Sequence, residues 1–136
     1  MATTTKKTVK KARKKKTDLT KDERIKTEIK KLKQTFEDLE IDSRKMQVAE
    51  SLIKNAAFMA VTLEDLQAEI NENGVVSTYQ NGENQWGTKQ SPEAQTYISL
   101  INRYNSVMKQ LIDLLPEEKQ KKAVDEFDEF INGRPD

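Results

Sequence analysis

Apolar side chains recur in steps of three and four residues along three stretches of the chain, residues 25–39, 46–70 and 97–115. Side chains at this spacing lie on one face of an α-helix, so each stretch predicts an amphipathic helix. The second helix should be roughly 25 to 30 residues long, well above the average for globular proteins. Its middle, residues 56–61, is apolar nearly all round and needs cover on more than one side, from a partner helix or a neighbouring subunit.

Local signals predict where these helices begin and end. The first helix should start near residues 20–22, and Ser43 is a suitable N-cap for the second. Gly74 can take the left-handed conformation that ends the second helix. Ser91, followed by proline and glutamate, is a good start for the third. Pro116 either ends the third helix or opens another.

The polar segment between the second and third helices allows two interpretations. Residues 75–80 are β-prone, and Asn81-Gly82 is a strong signal for a two-residue turn. The segment is either a short β-hairpin or an irregular Gly- and Trp-containing loop, and we expect a mixture of both. Trp86 could stack on a base, dock a partner or pin the loop to the helices. Its large apolar area favours packing or a subunit contact.

Together these elements predict an all-α fold built on a central long helical hairpin, residues 43–116, as an oligomerisation core. An amphipathic helix within residues 19–42 precedes it as a DNA-binding region. Residues 117–136 carry seven acids and four bases, and their apolar residues recur at amphipathic spacing. They predict an acidic docking segment tethered beside the core. Residues 1–18 are too polar to offset the entropy of ordering, so we expect a disordered basic arm and flexible termini.

Charge is segregated along the chain although the formal net charge is only +1. Residues 1–33 hold 14 Lys and Arg against 4 Asp and Glu, and the remaining residues hold 10 bases against 19 acids. The two parts therefore suit different partners. Hydrophobic residues make up only 35% of 136 residues, so we expect subunit contacts to supply part of the buried apolar area.

Several classes of chemistry are excluded by composition and motif. The chain has no Cys and no His, which removes thiolate and imidazole chemistry. No GxxxxGK[ST] pattern is present, and the paired carboxylates lack a third ligand. We expect no catalytic residue, metal or cofactor. No apolar run approaches the length of a membrane span, so we expect a soluble protein of the reducing cytoplasm, with no membrane partner.

Cations near the N-terminus are the candidate nucleic-acid contacts, because lysines neutralise phosphates without needing a fixed geometry. Those in the basic arm could instead form a solubilising tail, and those on the first helix an ordinary solvated face, diluted by its acids. The candidates are Lys6, Lys7, Lys10, Lys11, Arg13, Lys14, Lys15, Lys16, Arg24, Lys30 and Lys31.

Large apolar side chains on the helices and in the loop are candidates for subunit contacts or for packing within one chain. The set assigned to the oligomer interface is Phe58, Met59, Trp86, Tyr97, Tyr104 and Met108. The set assigned to partner docking is Val124, Phe127, Phe130 and Ile131. Isolated bases at Lys54, Arg103 and Lys109 could line a DNA-facing channel or form solvated rim contacts of little energetic weight.

Ordered phrases in residues 58–66, 69–74, 79–92 and 104–116 carry a family resemblance. They read FMxVTLEDL, EINENG, YQNGENQxGTKxSP and, less continuously, a tyrosine followed by KQL and LLP, where x is a position outside the resemblance. In this order they resemble the small terminase subunits of tailed bacteriophages, in which a long helix, a Gly-containing polar loop and a Ser-Pro-initiated helix form the body.

This resemblance implies a non-catalytic packaging protein of the host bacterial cytoplasm. It implies a homo-oligomeric ring of about eight or more chains, which binds double-stranded viral DNA and regulates a large ATPase-nuclease subunit. The alternatives are a helical DNA-binding regulator or nucleoid-type protein, expected to be dimeric, and a structural virion or scaffold component.

Overall fold

The computed structural model describes residues 19–132, with side chains as far as residue 128. The eight bases predicted in the N-terminal arm, Lys6 to Lys16, lie outside the described residues. The elements are α1 (Lys21–Asp38), α2 (Ser43–Asn73), β1 (Val76–Gln80), β2 (Trp86–Gln90), α3 (Pro92–Asp113) and α4 (Glu117–Asn132). The predicted helical class is confirmed at this level, with a small antiparallel sheet of two strands added.

Side-chain caps set the starts of α1, α2 and α3, and the cap of α3 is the one that the sequence predicted. Thr20 and Ser91 each accept a hydrogen bond from a free backbone N–H of the first turn. For α2 the predicted cap Ser43 is wrong. Asp42 is the cap, and its carboxylate accepts from the Arg44 N–H at 2.8 Å. Both residue types cap helices well, so composition alone did not distinguish these neighbours.

The segment after α2 is a β-hairpin with a longer connection than predicted. Helix α2 ends at Asn73 as expected, and Gly74 has a φ of 80°. The predicted two-residue turn at Asn81-Gly82 is wrong, because Gln80 pairs with Trp86 and five residues connect the strands. The Asn81 N–H closes this connection by donating to the Gln85 carbonyl at 2.7 Å.

Polar contacts show how the first three helices are aligned. Arg24 on α1 contacts Asp65, while Lys33 further along α1 contacts Glu50, so α1 and α2 run antiparallel. Gln67 near the end of α2 donates to the Tyr97 hydroxyl near the start of α3 at 2.9 Å. The short hairpin between them makes α2 and α3 antiparallel as well.

Apolar side chains from all four helices and their connections form one core. Ile53, Leu111 and Leu115 are the largest fully buried members, and truncating such a residue to alanine typically costs about 2 to 5 kcal/mol. The core cluster comprises Leu32, Phe36, Leu39, Ala49, Ile53, Ala56, Ala57, Met59, Leu63, Tyr104, Met108, Leu111, Ile112, Leu115 and Ala123.

Helix α4 packs on this core, which corrects the expectation of a segment merely tethered beside it. Ala123 is buried, and the half-buried Phe127 ring lies 6.3 Å from the Tyr104 ring, centroid to centroid. Pro116 opens the helix, because its carbonyl accepts from the Lys119 and Gln120 N–H groups. The sequence did not predict this contact, because residues 117–122 are mostly charged and Ala123 and Phe127 form only a short apolar stripe. None of the described helices is long and apolar enough to cross a membrane.

Candidate functional site

A groove between α2 and α3 is the first candidate surface, and residues from these two helices alone line it. We call it the α2–α3 groove, and its main lining residues are Asn55, Phe58, Leu100, Arg103, Ser106 and Val107. Helix α2 packs against α1 and α3, which buries Ala56, Ala57 and Val61. Phe58, from the same apolar stretch, remains 50% exposed.

The groove combines half-buried apolar side chains with exposed polar ones. Leu100 and Val107 are half-buried beside Phe58, while Asn55 and Arg103 are exposed. The Lys21 ammonium lies 4.7 Å from the centroid of the Phe58 ring, a cation–π contact that joins the start of α1 to this surface. Aromatic residues and arginine are the types most enriched at protein interfaces. The groove therefore suits a protein partner.

Most of the residues predicted for the oligomer interface lie inside the single chain. Met59 is 9% exposed, Tyr104 8% and Met108 7%, so each offers little surface to a second copy. Tyr97 is half-buried and accepts the Gln67 hydrogen bond described above. These side chains lie at helical spacing because they form the core, the alternative that the periodicity had left open.

The other two, Phe58 and Trp86, are exposed. Trp86 is 69% exposed at the start of β2, and its neighbours on the same face of the sheet, Gln80 and Thr88, are exposed too. The prediction that this tryptophan packs within its own chain is therefore not met. A subunit contact, the other half of that prediction, stays open.

The opposite face of the hairpin is organised around Tyr79, a residue that the sequence analysis did not single out. The Tyr79 ring lies across Gly87, where an added Cβ would come within 2.6 Å of Tyr79 Cζ. Lys89 lies 5.8 Å from the same ring. A glycine inside a strand often marks such a close approach, so Gly87 was the available signal.

Helix α1 carries the second candidate surface, but not all its cations are available to a ligand. Arg24 donates to Asp65 at 2.6 Å and to Glu64 at 2.9 Å. These hydrogen bonds, first that to Asp65 and then that to Glu64, raise the pKa of Arg24 above its ordinary value. Since DNA would have to replace two carboxylates, Arg24 is poorly placed to bind phosphate. Lys33 is likewise paired, with Glu50 at 3.1 Å.

Three further lysines of α1 lie on its exposed surface. Lys26, Lys30 and Lys31 are exposed, and within the described part of the chain neither Lys26 nor Lys30 forms an ion pair. The three bases predicted to line a DNA-facing channel or to form rim contacts, Lys54, Arg103 and Lys109, are also exposed. Arg103 lies in the α2–α3 groove and the other two do not line it.

The residues predicted to dock a partner differ in their exposure on α4. Val124 is 42% exposed, whereas Phe127 is engaged with the core. The side chains of Phe130 and Ile131 lie outside the described residues. Val124 is thus the member of this set whose apolar surface is open to a partner.

Among the described residues, no three acidic side chains come together in an arrangement that could hold a metal ion. The adjacent acids Glu64 and Asp65 are both ion-paired with Arg24. Comparison with known protein families, with curated protein sequences and with solved structures finds no match to this chain.

Proposed function

We propose that this chain is a phage terminase small subunit, which assembles into a homo-oligomeric ring, binds viral DNA at the start of genome packaging and regulates a large ATPase-nuclease subunit. The terminase assignment rests on the resemblance carried by residues 58–116. Assembly and DNA binding are supported by the open groove, with a half-exposed Phe58, on a chain whose N-terminal quarter is strongly cationic. One surface suits a second copy and the other suits phosphates. The role is binding and assembly, without bond chemistry.

Assembly through the α2–α3 groove has a physical reason in the size of the chain. A small domain buries a limited fraction of its own surface, and an exposed aromatic over an apolar floor favours covering by another chain. Phe58 lines the groove and is 50% exposed, with the Lys21 ammonium over its ring. A subunit placed there would remove this apolar area from water.

DNA binding in this proposal uses the N-terminal arm together with Lys26 and Lys30 on α1. Each lysine that neutralises a phosphate releases counterions, so affinity falls steeply with salt. Several copies in one ring bring several such segments to the same duplex. The high local concentration then gives tight binding from individually weak contacts.

Docking of the large subunit is assigned to the outward surface of α4. Its inner side is occupied by the contact of Phe127 with Tyr104, while Val124 and the neighbouring Asp125 and Glu126 are exposed. Removing residues 117–136 is not a clean test, because Ala123 belongs to the core. Val124→Asp, which should leave the core intact, should abolish stimulation of a partner ATPase.

Duplex binding as a function of salt tests the DNA role. Replacing the eight bases between residues 6 and 16 with glutamine should weaken binding and flatten the salt dependence. Each lost phosphate contact reduces the magnitude of the slope of log K against log salt by about 0.9. Fluorescence anisotropy with a labelled duplex measures both. Unchanged affinity and slope would refute a DNA-binding arm.

A matched pair of variants tests the α1 contribution separately. Lys26→Gln with Lys30→Gln removes two exposed lysines of α1, and Lys121→Gln with Lys122→Gln removes two exposed lysines of α4. The net charge change is the same. The first pair should reduce the salt slope by up to about 1.8 units and the second should not change it. Equal effects would mean that only overall charge matters.

A further inference from the structure

The β1–β2 hairpin carries apolar surface that nothing in its own chain covers. Four of the eight large apolar side chains that are exposed among the described residues lie here: Val75, Val76, Tyr79 and Trp86. A two-stranded hairpin alone is marginally stable in water, and both faces of this one are largely open to solvent. Such a hairpin gains stability when another surface covers it.

The charge of the hairpin narrows the kind of partner. Residues 74–91 contain one acid, Glu83, and one base, Lys89. A segment with no net charge has little attraction to DNA phosphates, in contrast to α1. Tryptophan and tyrosine are among the residues most often found as anchors at protein interfaces. The hairpin is therefore suited to a protein surface with an apolar centre.

The α2–α3 groove is a surface of that kind. Phe58, Leu100 and Val107 supply its apolar side chains, and the short side chain of Ser106 lines the same groove. Arg103 is exposed beside them, where its guanidinium could stack on tryptophan. None of the α3 residues that line the groove is aromatic. The hairpin presents an aromatic ring, that of Trp86, which is 69% exposed.

A hairpin cannot readily enter the groove of its own chain. The Ser91 N–H donates to the Val75 carbonyl at 2.8 Å, which clamps the two strands together where they leave the helices. Ser91 is also buried and caps α3. Phe58 lies fifteen positions before Asn73 on α2, about 22 Å at the helical rise. A five-residue strand spans only about 17 Å, so Trp86 at the far end of the hairpin falls short of Phe58.

We infer that the β1–β2 hairpin of one copy docks in the α2–α3 groove of the next copy, with Trp86 against Phe58 and Arg103. The inference rests on the proposed homo-oligomer and specifies its contact. Hairpin and groove are different surfaces, so the contact is head-to-tail, and each chain uses both. Contacts of this type close into rings when the rotation between neighbours allows it.

Cysteine cross-linking tests this contact directly, because the chain has no native cysteine. Thr88 lies on the Trp86 face of the hairpin, and Ser106 lies in the groove. The full chain carrying both Thr88→Cys and Ser106→Cys should give a ladder of disulfide-linked dimers, trimers and higher species under mild oxidation. Each single variant should remain uncross-linked. A control pair, Thr88→Cys with Asn105→Cys, places the second thiol one residue away and outside the groove, and should give little ladder.

Adding Trp86→Ser to the double-cysteine chain should weaken association roughly thirtyfold and remove the ladder at low concentration, as expected for loss of an aromatic anchor. Dimers from Thr88→Cys alone would show hairpins pairing with each other and overturn the inference. A disulfide that joins positions 88 and 106 within one chain would overturn it too.

Light scattering on the unmodified protein separates this inference from the proposed function. An oligomeric mass without the ladder would refute the hairpin contact and leave the proposed function standing. A monomeric mass without the ladder would refute both.

Discussion

Phe58→Ser should dissociate the oligomer, and the size of the effect follows from the exposure of this ring. A phenylalanine side chain can bury roughly 150 to 250 Å². Phe58 is 50% exposed, so about 100 Å² remains available to a neighbouring subunit. At about 25 cal/mol per Å², covering that area stabilises each contact by about 2.5 kcal/mol. Its loss corresponds to a dissociation constant roughly sixtyfold higher.

A matched control is needed because the same substitution affects the single chain. Truncation removes the buried half of the ring and the Lys21 cation–π contact, the latter being worth about 0.5 to 1 kcal/mol. Ile98 is 51% exposed on α3 and does not line the groove, so Ile98→Ser controls for truncation of a half-exposed apolar side chain without the Lys21 contact. Phe58→Leu keeps most of the apolar area while removing the aromatic ring.

Sedimentation velocity over a dilution series measures the dissociation constants, and chemical denaturation measures the free energy of unfolding. We expect Phe58→Ser to raise the dissociation constant strongly and Ile98→Ser to raise it little. The constant for Phe58→Leu should lie between them. Equal shifts for the two serine variants would refute the assignment of the groove as a subunit contact. The assignment would also be refuted if the dissociation constants of the variants changed in proportion to their losses in unfolding free energy.

Three further outcomes test the local structure. Gly87→Ala should displace the Tyr79 ring and speed hydrogen exchange in the hairpin, with little change in the global unfolding free energy, because the hairpin lies outside the core. Ser91→Ala should lower the unfolding free energy by about 1 kcal/mol in a denaturant titration, through loss of the α3 cap. Arg24→Gln should cost up to about 1 kcal/mol at low salt and less at about 1 M salt, since its ion pairs are partly exposed and screened.

The helices could be predicted because their signals are local. The stripe from Met46 to Ile70 and the ends at Asn73 and Ser91 depend on residues a few positions apart, and the structure has helices at these places. The hairpin was predictable only as an alternative, because Asn81-Gly82 favours a short turn that the five-residue connection replaced. The start of α2 was ambiguous by one position, because Asp42 and Ser43 are both good capping residues.

What could not be predicted depends on contacts between distant residues. Periodicity placed Met59 and Tyr104 on apolar stripes without showing whether the stripe faces another helix or another subunit. The sequence did not distinguish Arg24 from the other cations of α1, because the acids that its guanidinium contacts lie about forty positions later in the chain. Phe127 joined the core because the turn at Pro116 directs α4 back over α3.

The mass of the purified protein by native mass spectrometry, at physiological salt and micromolar concentration, tests the central claim most directly. The proposal predicts a closed assembly of about eight or more chains, in which every copy makes the same pair of contacts. A monomer at all concentrations would contradict assembly through the α2–α3 groove. A dimer that still binds DNA would contradict the terminase assignment and favour the helical DNA-binding regulator.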